Sequence, residues 1–184
     1  MSDVVSLVLF ALLVVVGVAG LSIVVATIRW GISPMPTSAK VRRAMLSLVS
    51  AELTGELHEL GAGWGGLALA LARHCPNARV VAWEVSPVPA IVLWARAKSA
   101  RLPNLEVRLR DFRSADLTRA AGIICYLFTG GMKWLDDALR RQRPGTDLLI
   151  VTNTFTLHGW PEDKVVTVDD LFRTRVTRYR RVPD

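Results

Sequence analysis

The fold of this chain is decided by residues 56–84, ELHELGAGWGGLALALARHCPNARVVAWE. The stretch predicts a strand at 56–60, a glycine-rich turn, a helix at 67–74 and a second strand at 79–84. Glycines let the turn bend sharply and approach a ligand because they lack a Cβ atom, and the following helix directs its positive end toward the turn. The second strand ends at Glu84, whose carboxylate can accept hydrogen bonds from a ribose. The stretch therefore predicts a site for a nucleotide-like ligand.

The rest of the chain alternates strand and helix patterns. Further strands are predicted at 105–110, 122–128 and 147–153, with a closing antiparallel pair at 165–168 and 173–181. Further helices are predicted from Thr37 or Ser38 to about 51, at 87–101 and at 132–143. Strands that alternate with helices and end in a hairpin predict an α/β fold of three layers, with a mostly parallel, Rossmann-like sheet of seven strands.

An apolar stretch of 25 residues, Val4 to Ile28, precedes this pattern and contains no charged side chain. At about 1.5 Å per residue, a helix of that length covers the ~30 Å hydrocarbon core of a bilayer. Asp3 precedes the stretch, and basic residues follow it at Arg29, Lys40, Arg42 and Arg43. The positive-inside rule then predicts a single-pass membrane anchor in residues 1–30, with the domain of residues 31–184 on the cytoplasmic side. A cleaved signal peptide is the alternative, but it requires a basic start and a shorter apolar core.

Composition narrows the classes of partner. The net charge of +7 favours an anionic partner such as a membrane surface, or reflects only the high pI common among small proteins. No long Lys/Arg run or aromatic-basic alternation indicates a nucleic-acid platform, so no nucleic-acid partner is expected. Cys75 and Cys125 are too few for a disulfide framework, and the three histidines lack the spacing of metal ligands. We therefore expect no metal site.

The glycine turn admits two kinds of nucleotide. Gly61, Gly63 and Gly66 satisfy the dinucleotide pattern GxGxxG, with Glu84 about twenty residues further on. Glu59, however, stands two residues before the first glycine and gives the pattern E-x-G-x-G-x-G. An acid at that position would repel a pyrophosphate and suit a cationic ligand. The chain also has no separate domain for a hydride acceptor, so the sequence favours a cationic nucleotide.

These motifs resemble those of class I S-adenosylmethionine-dependent methyltransferases. The glycine motif, the acid Glu84 and the pair Asp111-Phe112 follow successive strands in the order found in that family. The chain looks more specifically like the small membrane-anchored protein-lysine methyltransferases that modify the mitochondrial ATP synthase c subunit and the adenine nucleotide translocase. The matching points are the apolar N-terminus, a proline and lysine stretch starting at Pro36, the break at 128–132 (FTGGM) and Trp160-Pro161. The chain departs from the family at Trp64, inside the glycine turn, and it lacks an Asn/Asp-Pro-Pro-Tyr motif.

The resemblance implies S-adenosylmethionine as the cofactor and assigns its contacts. Backbone N–H groups of the glycine turn would meet the methionine moiety, and Glu59 would attract its ammonium group. Glu84, with Val85 beside it, would bind the ribose diol, whereas Asp111 and Phe112 would contact the adenine. The implied cofactor site is therefore Glu59, Gly61, Ala62, Gly63, Gly65, Glu84, Val85, Asp111 and Phe112. Tyr126, at the end of the fourth strand, is the candidate for orienting the methyl acceptor.

The resemblance thus predicts an enzyme with a seven-stranded methyltransferase sheet. Its expected reaction is methyl transfer to an acceptor at the cytoplasmic membrane surface, most readily a protein lysine. Three alternatives stay open: a small-molecule or lipid acceptor, a membrane-anchored NAD(P)-binding protein, and a non-catalytic scaffold. The anchor and the basic surface favour an acceptor at the membrane but do not identify it.

Overall fold

One mixed sheet of seven strands forms the centre of the protein. The computed structural model describes residues 2–30, 37–142 and 147–180, with only part of the side chains in the first of these ranges. The strand order is β3-β2-β1-β4-β5-β7-β6. The strands are β1 (Gly55–Leu60), β2 (Ala78–Glu84), β3 (Leu105–Leu109), β4 (Ala120–Cys125), β5 (Leu149–Asn153), β6 (Glu162–Thr167) and β7 (Arg175–Arg180). The first five run parallel, and β7 lies antiparallel between β5 and β6.

Helices cover both faces of the sheet. They are α2 (Ala39–Leu46), α3 (Gly66–His74), α4 (Pro87–Ser99) and α5 (Thr129–Gln142), with a short 3-10 turn at Phe112–Ser114, and they are preceded in the chain by α1 (Ser2–Trp30). Buried residues of α2, α3 and α4 belong to one apolar cluster, and those of α5 and the 3-10 turn belong to a second. The predicted α/β architecture with a Rossmann-like sheet of seven strands is therefore confirmed.

Burial on both faces explains the continuous apolar runs of the central strands. In β2, Val80 belongs to the first cluster and Val81 to the second, and in β4 the same holds for Ile124 and Ile123. Successive side chains of a strand point to opposite faces, so a strand covered on both sides needs apolar residues at every position. Each such side chain contributes about 1.5–3 kcal/mol when fully buried.

The structure corrects several predicted boundaries. β4 ends at Cys125, three residues before the predicted end, although the apolar run continues to Phe128. Leu127 is buried in the second cluster although the backbone has already left the sheet. The apolar run up to Phe128 therefore indicates buried side chains and does not mark the end of strand pairing. In the same way α2 ends at Leu46, although Leu48 beyond it is buried.

Part of the predictions falls outside the described residues. Residues 31–36, 143–146 and 181–184 are not described, and these include Pro36 and the end of the last predicted strand. α1 covers the predicted anchor, and its described side chains, from Val4 onward, are exposed. Over the described part of the chain, however, no helix combines the length and apolar character needed to cross a membrane. The predicted transmembrane span is therefore not supported.

Candidate functional site

The carboxyl edge of the parallel strands carries the glycine turn. After β1 ends at Leu60, the N–H groups of Gly61 and Ala62 both donate to the carbonyl of Trp83 in β2, at 3.0 and 2.8 Å. The N–H of Gly65 donates back to the carbonyl of Ala62 at 2.9 Å. These bonds fix the turn against the neighbouring strand without any ligand.

Two positions of this turn, Gly63 and Gly65, require glycine for different physical reasons. Gly65 has φ +78°, and a Cβ there would lie 2.0 Å from Leu93 Cδ1 on α4, so this glycine permits close packing of the turn on α4. Gly63 has φ +54°, and a Cβ there would meet no atom within 4 Å. Gly63 therefore borders open space at the strand edge, as a ligand-contacting glycine should.

Glu84 supports the turn through both carboxylate oxygens. Its Oε2 accepts the N–H of Gly63 at 2.7 Å, and its Oε1 accepts the N–H of Ser86 at 2.7 Å. The side chain is buried. A carboxylate has about four acceptor positions, so Glu84 keeps capacity for further donors such as ribose hydroxyls.

Glu59 lies buried at the end of β1, with 4% of its surface exposed. Its Oε2 has no hydrogen-bond partner among the described residues. Burial, and after it the charge of Glu84, raises the pKa of Glu59 well above its ordinary value. A buried carboxylate without a partner is costly, and a cation bound close by would stabilise its charged form.

The predicted adenine contacts have local structural roles. Asp111 Oδ1 accepts the N–H of Arg113 at 2.9 Å and so caps the 3-10 turn that follows β3. Phe112 is buried in the second cluster, where its ring meets Trp134 edge to face with centroids 5.2 Å apart. Phe112 is therefore part of the apolar core. The predicted contacts of Asp111 and Phe112 with an adenine stay predictions.

Tyr126 follows β4 and stacks on Phe155, which follows β5. The two ring centroids lie 6.4 Å apart with planes inclined by 27°, and both side chains are half-buried. Thr154, between β5 and Phe155, has φ +65°, and the N–H of Phe155 donates to the carbonyl of Asn153 at 2.7 Å. This tight turn directs the chain after β5 so that the two aromatic rings meet.

The structure brings the predicted site residues to one edge of the sheet. Leu60 pairs with Trp83 and with Cys125, and Glu84 pairs with Leu109, so the residues after β1, β2, β3 and β4 lie side by side. Val85 is half-buried next to Glu84. The N–H groups predicted to meet the methionine moiety already have acceptors within the protein, so that contact stays a prediction: those of Gly61, Ala62, Gly63 and Gly65.

Sequence reasoning missed several groups of this site. Ser86 supplies a backbone N–H to Glu84, and Arg96 donates from Nη1 to the carbonyl of Trp64 at 2.5 Å, which ties α4 to the glycine turn. Neither contact has a sequence signal, since one uses backbone and the other joins distant elements. Phe155 had a weak signal, as an aromatic residue directly after the fifth strand.

Solved methyltransferase structures share this fold. An RNA methyltransferase from Salinibacter ruber, solved with S-adenosyl-L-homocysteine, is 27% identical, covers 82% of this chain and 95% of its own, and superposes with a TM-score of 0.70. The precorrin-6y C5,15-methyltransferase from Geobacter metallireducens GS-15 is 18% identical, covers 78% of this chain and 90% of its own, and has a TM-score of 0.62. The second likeness shows the fold alone.

Sequence comparison identifies the family. A protein-lysine N-methyltransferase from Saccharolobus islandicus (strain REY15A) is 24% identical over 138 residues, which are 74% of this chain and 84% of that protein. The family described as the ANTKMT methyltransferase domain matches residues 59–164, which is more than half of the chain. The predicted resemblance to class I enzymes is thereby confirmed. The chain belongs to the ANTKMT methyltransferase domain family and is an S-adenosylmethionine-dependent methyltransferase.

Proposed function

We propose that this enzyme methylates the side-chain amine of a protein lysine, and that its acceptor lies at the cytoplasmic surface of a membrane. The lysine acceptor is supported by the protein-lysine N-methyltransferase from Saccharolobus islandicus and by the stacked pair Tyr126 and Phe155. The aromatic pair is the observation that carries the proposal, because it stands at the edge of the sheet beside the cofactor residues.

The residues at this edge fit S-adenosylmethionine. Glu59, buried and without a partner for Oε2 among the described residues, suits the positive charge of the cofactor. Glu84 is held rigidly by two backbone N–H groups and keeps acceptor capacity for a ribose. Gly63 leaves open space where a side chain would stand in any other residue. We assign cofactor binding to these three residues, with Asp111 and Phe112 toward the adenine.

The cofactor supplies a methyl group activated on a sulfonium, so the protein mainly has to position two reactants. Glu84 and the glycine turn hold their geometry before binding, which lowers the cost of ordering the site. Arg96 keeps the turn on α4 through the Trp64 carbonyl. Tyr126 and Phe155 then orient the acceptor from the neighbouring strands.

A lysine acceptor must be neutral to attack a methyl group, and this enzyme offers it an apolar place. Aromatic faces accept the alkyl stem of lysine and also attract a methylated ammonium through cation–π contacts. Removal from water lowers the pKa of an amine, which favours the neutral nucleophile. Tyr126 and Phe155 thus explain acceptor binding without a dedicated general base.

The membrane part of the proposal is supported by the N-terminal sequence. The 25 residues from Val4 to Ile28 carry no charge, whereas Arg29, Lys40, Arg42 and Arg43 follow them. This asymmetry predicts a cytoplasmic methyltransferase domain on an N-terminal anchor. Carbonate extraction of membranes from expressing cells, followed by protease protection, tests this part. A chain recovered in the soluble fraction would contradict it.

The reaction is tested by incubating the purified full chain with radiolabelled S-adenosylmethionine and membrane extract. We expect a labelled protein band that yields methyllysine on hydrolysis. An RNA acceptor is the second candidate, because the solved relative from Salinibacter ruber is an RNA methyltransferase. Label that ribonuclease removes, or label found only in lipid, would overturn the lysine proposal.

Calorimetry with NADH in place of S-adenosylmethionine tests the NAD(P)-binding alternative, for which we expect no heat of binding.

A further inference from the structure

The hairpin that closes the sheet has a tip with two adjacent large apolar side chains. Leu171 is 90% exposed and Phe172 is 81% exposed, between β6 and β7. Isolated exposed apolar residues are common, but two neighbours that extend fully into solvent at a loop tip are not.

This loop is held in one conformation by its own hydrogen bonds. The carboxylate of Asp170 accepts the N–H of Thr174 at 2.9 Å and its hydroxyl at 2.7 Å. Across the loop, the N–H of Val168 donates to the backbone carbonyl of Thr174 at 2.8 Å. The N–H of Arg173 donates to the backbone carbonyl of Asp170 at 3.1 Å. The hydrogen bond from the Thr174 N–H keeps the pKa of Asp170 below its ordinary value, so the clamp is intact at neutral pH. The apolar tip is therefore presented by a built loop.

The loop lies on the same edge of the sheet as the methyltransferase site. Asn153 at the end of β5 pairs with Val176, and Thr167 at the end of β6 pairs with Arg175. The connection from β6 to β7 is thus at the carboxyl edge, where the residues after β1, β2 and β4 also lie. Docking through this tip would bring the site and the docked surface together.

The N-terminal part of the chain enters the domain beside this loop. Lys40, in the first turn of α2, donates from Nζ to the carbonyl of Asp169 at 2.8 Å. Eight residues separate the end of α1 at Trp30 from the start of α2 at Ala39, and at full extension this connection spans at most about 32 Å. Whatever surface holds the N-terminal stretch is therefore within reach of the tip.

Cations flank the tip, and the chain as a whole is basic. Arg173 lies directly after the apolar pair, and Lys40 lies beside the loop. Asp169 and Asp170 balance these two charges, because the hydrogen bonds from Thr174 leave the Asp170 carboxylate charged. Attraction to an anionic surface therefore comes from the net charge of +7 of the chain. Apolar side chains flanked by cations are typical of segments that enter the headgroup region of a bilayer.

We propose that Leu171 and Phe172 insert into the surface of an anionic lipid bilayer and orient the carboxyl edge of the sheet toward it. The inference rests on the membrane part of the proposed function. It does not depend on whether the methyl acceptor is a lysine.

The test uses the full chain with one new cysteine carrying an environment-sensitive fluorophore. Cys75 and Cys125 are both buried, and burial raises the pKa of the Cys125 thiol to about 12, so a new exposed thiol is labelled selectively. Phe172→Cys places the probe at the tip, and Asn77→Cys places it at an exposed turn before β2, on the opposite edge. Both variants are reconstituted into vesicles of equal parts phosphatidylcholine and phosphatidylglycerol.

We expect the label at position 172 to shift its emission to the blue and to be quenched several-fold by brominated lipids, while the label at position 77 stays as in water. A chain that sediments with the vesicles but gives the same emission at both positions would overturn the docking inference and leave the anchor intact. A chain that does not sediment with the vesicles would remove the anchor and this inference together.

Discussion

At the scale of single residues, the site combines one carboxylate with a hydrogen bond to each of its oxygens and one whose Oε2 has no partner among the described residues. Glu84 is fixed by the N–H groups of Gly63 and Ser86, whereas Glu59 is buried with an oxygen that has no partner among the described residues. The first is preorganised for binding, and the second is destabilising until a cation arrives. Substitution of Glu59 should therefore change the stability of the ligand-free protein, whereas substitution of Glu84 should weaken cofactor binding.

Glu59→Gln should flatten the pH dependence of stability in the ligand-free protein. The raised pKa of Glu59 means that the folded state keeps a proton that the unfolded state loses near pH 4.5. Stability from this group is present below that pH and is lost as pH rises through the folded pKa. The wild type should lose stability over this range relative to the variant, as thermal unfolding at several pH values will show. Equal slopes for the two proteins would contradict the assignment, and Glu52→Gln, at an exposed position, is the control.

Glu84→Ala should reduce affinity for S-adenosylmethionine at least about 100-fold, which corresponds to about 2.7 kcal/mol. The substitution removes an acceptor for the ribose and also releases the N–H groups of Gly63 and Ser86. Calorimetric titration measures the loss, and circular dichroism checks that the fold survives. Affinity within a factor of about two of wild type would remove Glu84 from the site.

At the scale of elements, the glycine turn separates packing from binding. Gly65→Ala should destabilise the protein by about 2–4 kcal/mol, because its Cβ would overlap Leu93 on α4. Gly63→Ala should cost only about 1–2 kcal/mol of stability, because space is open there and only the positive φ is unfavourable. Its main effect should be weaker cofactor binding. Urea denaturation and calorimetry measure both quantities, and the reverse pattern would contradict this division.

The aromatic pair after β4 and β5 should act on the acceptor and not on the cofactor. Tyr126→Ala and Phe155→Ala should each lower methyl incorporation into membrane extract by about tenfold while cofactor affinity stays unchanged. Tyr126→Phe keeps the ring and tests whether the hydroxyl contributes. A parallel loss of cofactor affinity in the alanine variants would move the pair to the cofactor side.

Elements were predictable from sequence where burial and pairing coincide. α4 was predicted at 87–101 and is found at Pro87–Ser99. Pro87 and Pro89 mark its first turn, and Leu93 and Ala97 bury one face of the helix in the first apolar cluster. The end of β4 was not, because the apolar run continues to bury Leu127 after pairing stops. The role of Phe112 in the core and the pairing of Tyr126 with Phe155 depend on which strands become neighbours, which no local pattern encodes.

At the scale of the whole molecule, α1 adds no described side chain to the apolar core. Among the side chains that the structure describes, neither of the two clusters includes one from α1, so we expect the domain to fold without that helix. Removing residues 1–36 should leave cofactor affinity within about a factor of two and lower the melting temperature by only a few degrees, roughly what 1 kcal/mol changes in a domain of this size. It should abolish sedimentation with vesicles. A truncated chain that fails to fold, judged by loss of its cooperative thermal transition, would contradict this independence.

Fold and cofactor class were thus predictable from the glycine motif, Glu59 and Glu84, since one spacing encodes both the turn and the acids around it. The internal partners of the turn amides were not, because backbone groups leave no trace in composition. The proposed acceptor surface depends on Tyr126 and Phe155, which lie in chain segments far apart in sequence.

The buried acid at the end of β1 has one more consequence. Burial favours the neutral form of Glu59 in the ligand-free site, whereas the sulfonium of the cofactor favours the anion. Binding of the cofactor should therefore release a proton to the solution. The heat recorded in a titration would then vary with the ionisation enthalpy of the chosen buffer, and cofactor uptake would strengthen under alkaline conditions.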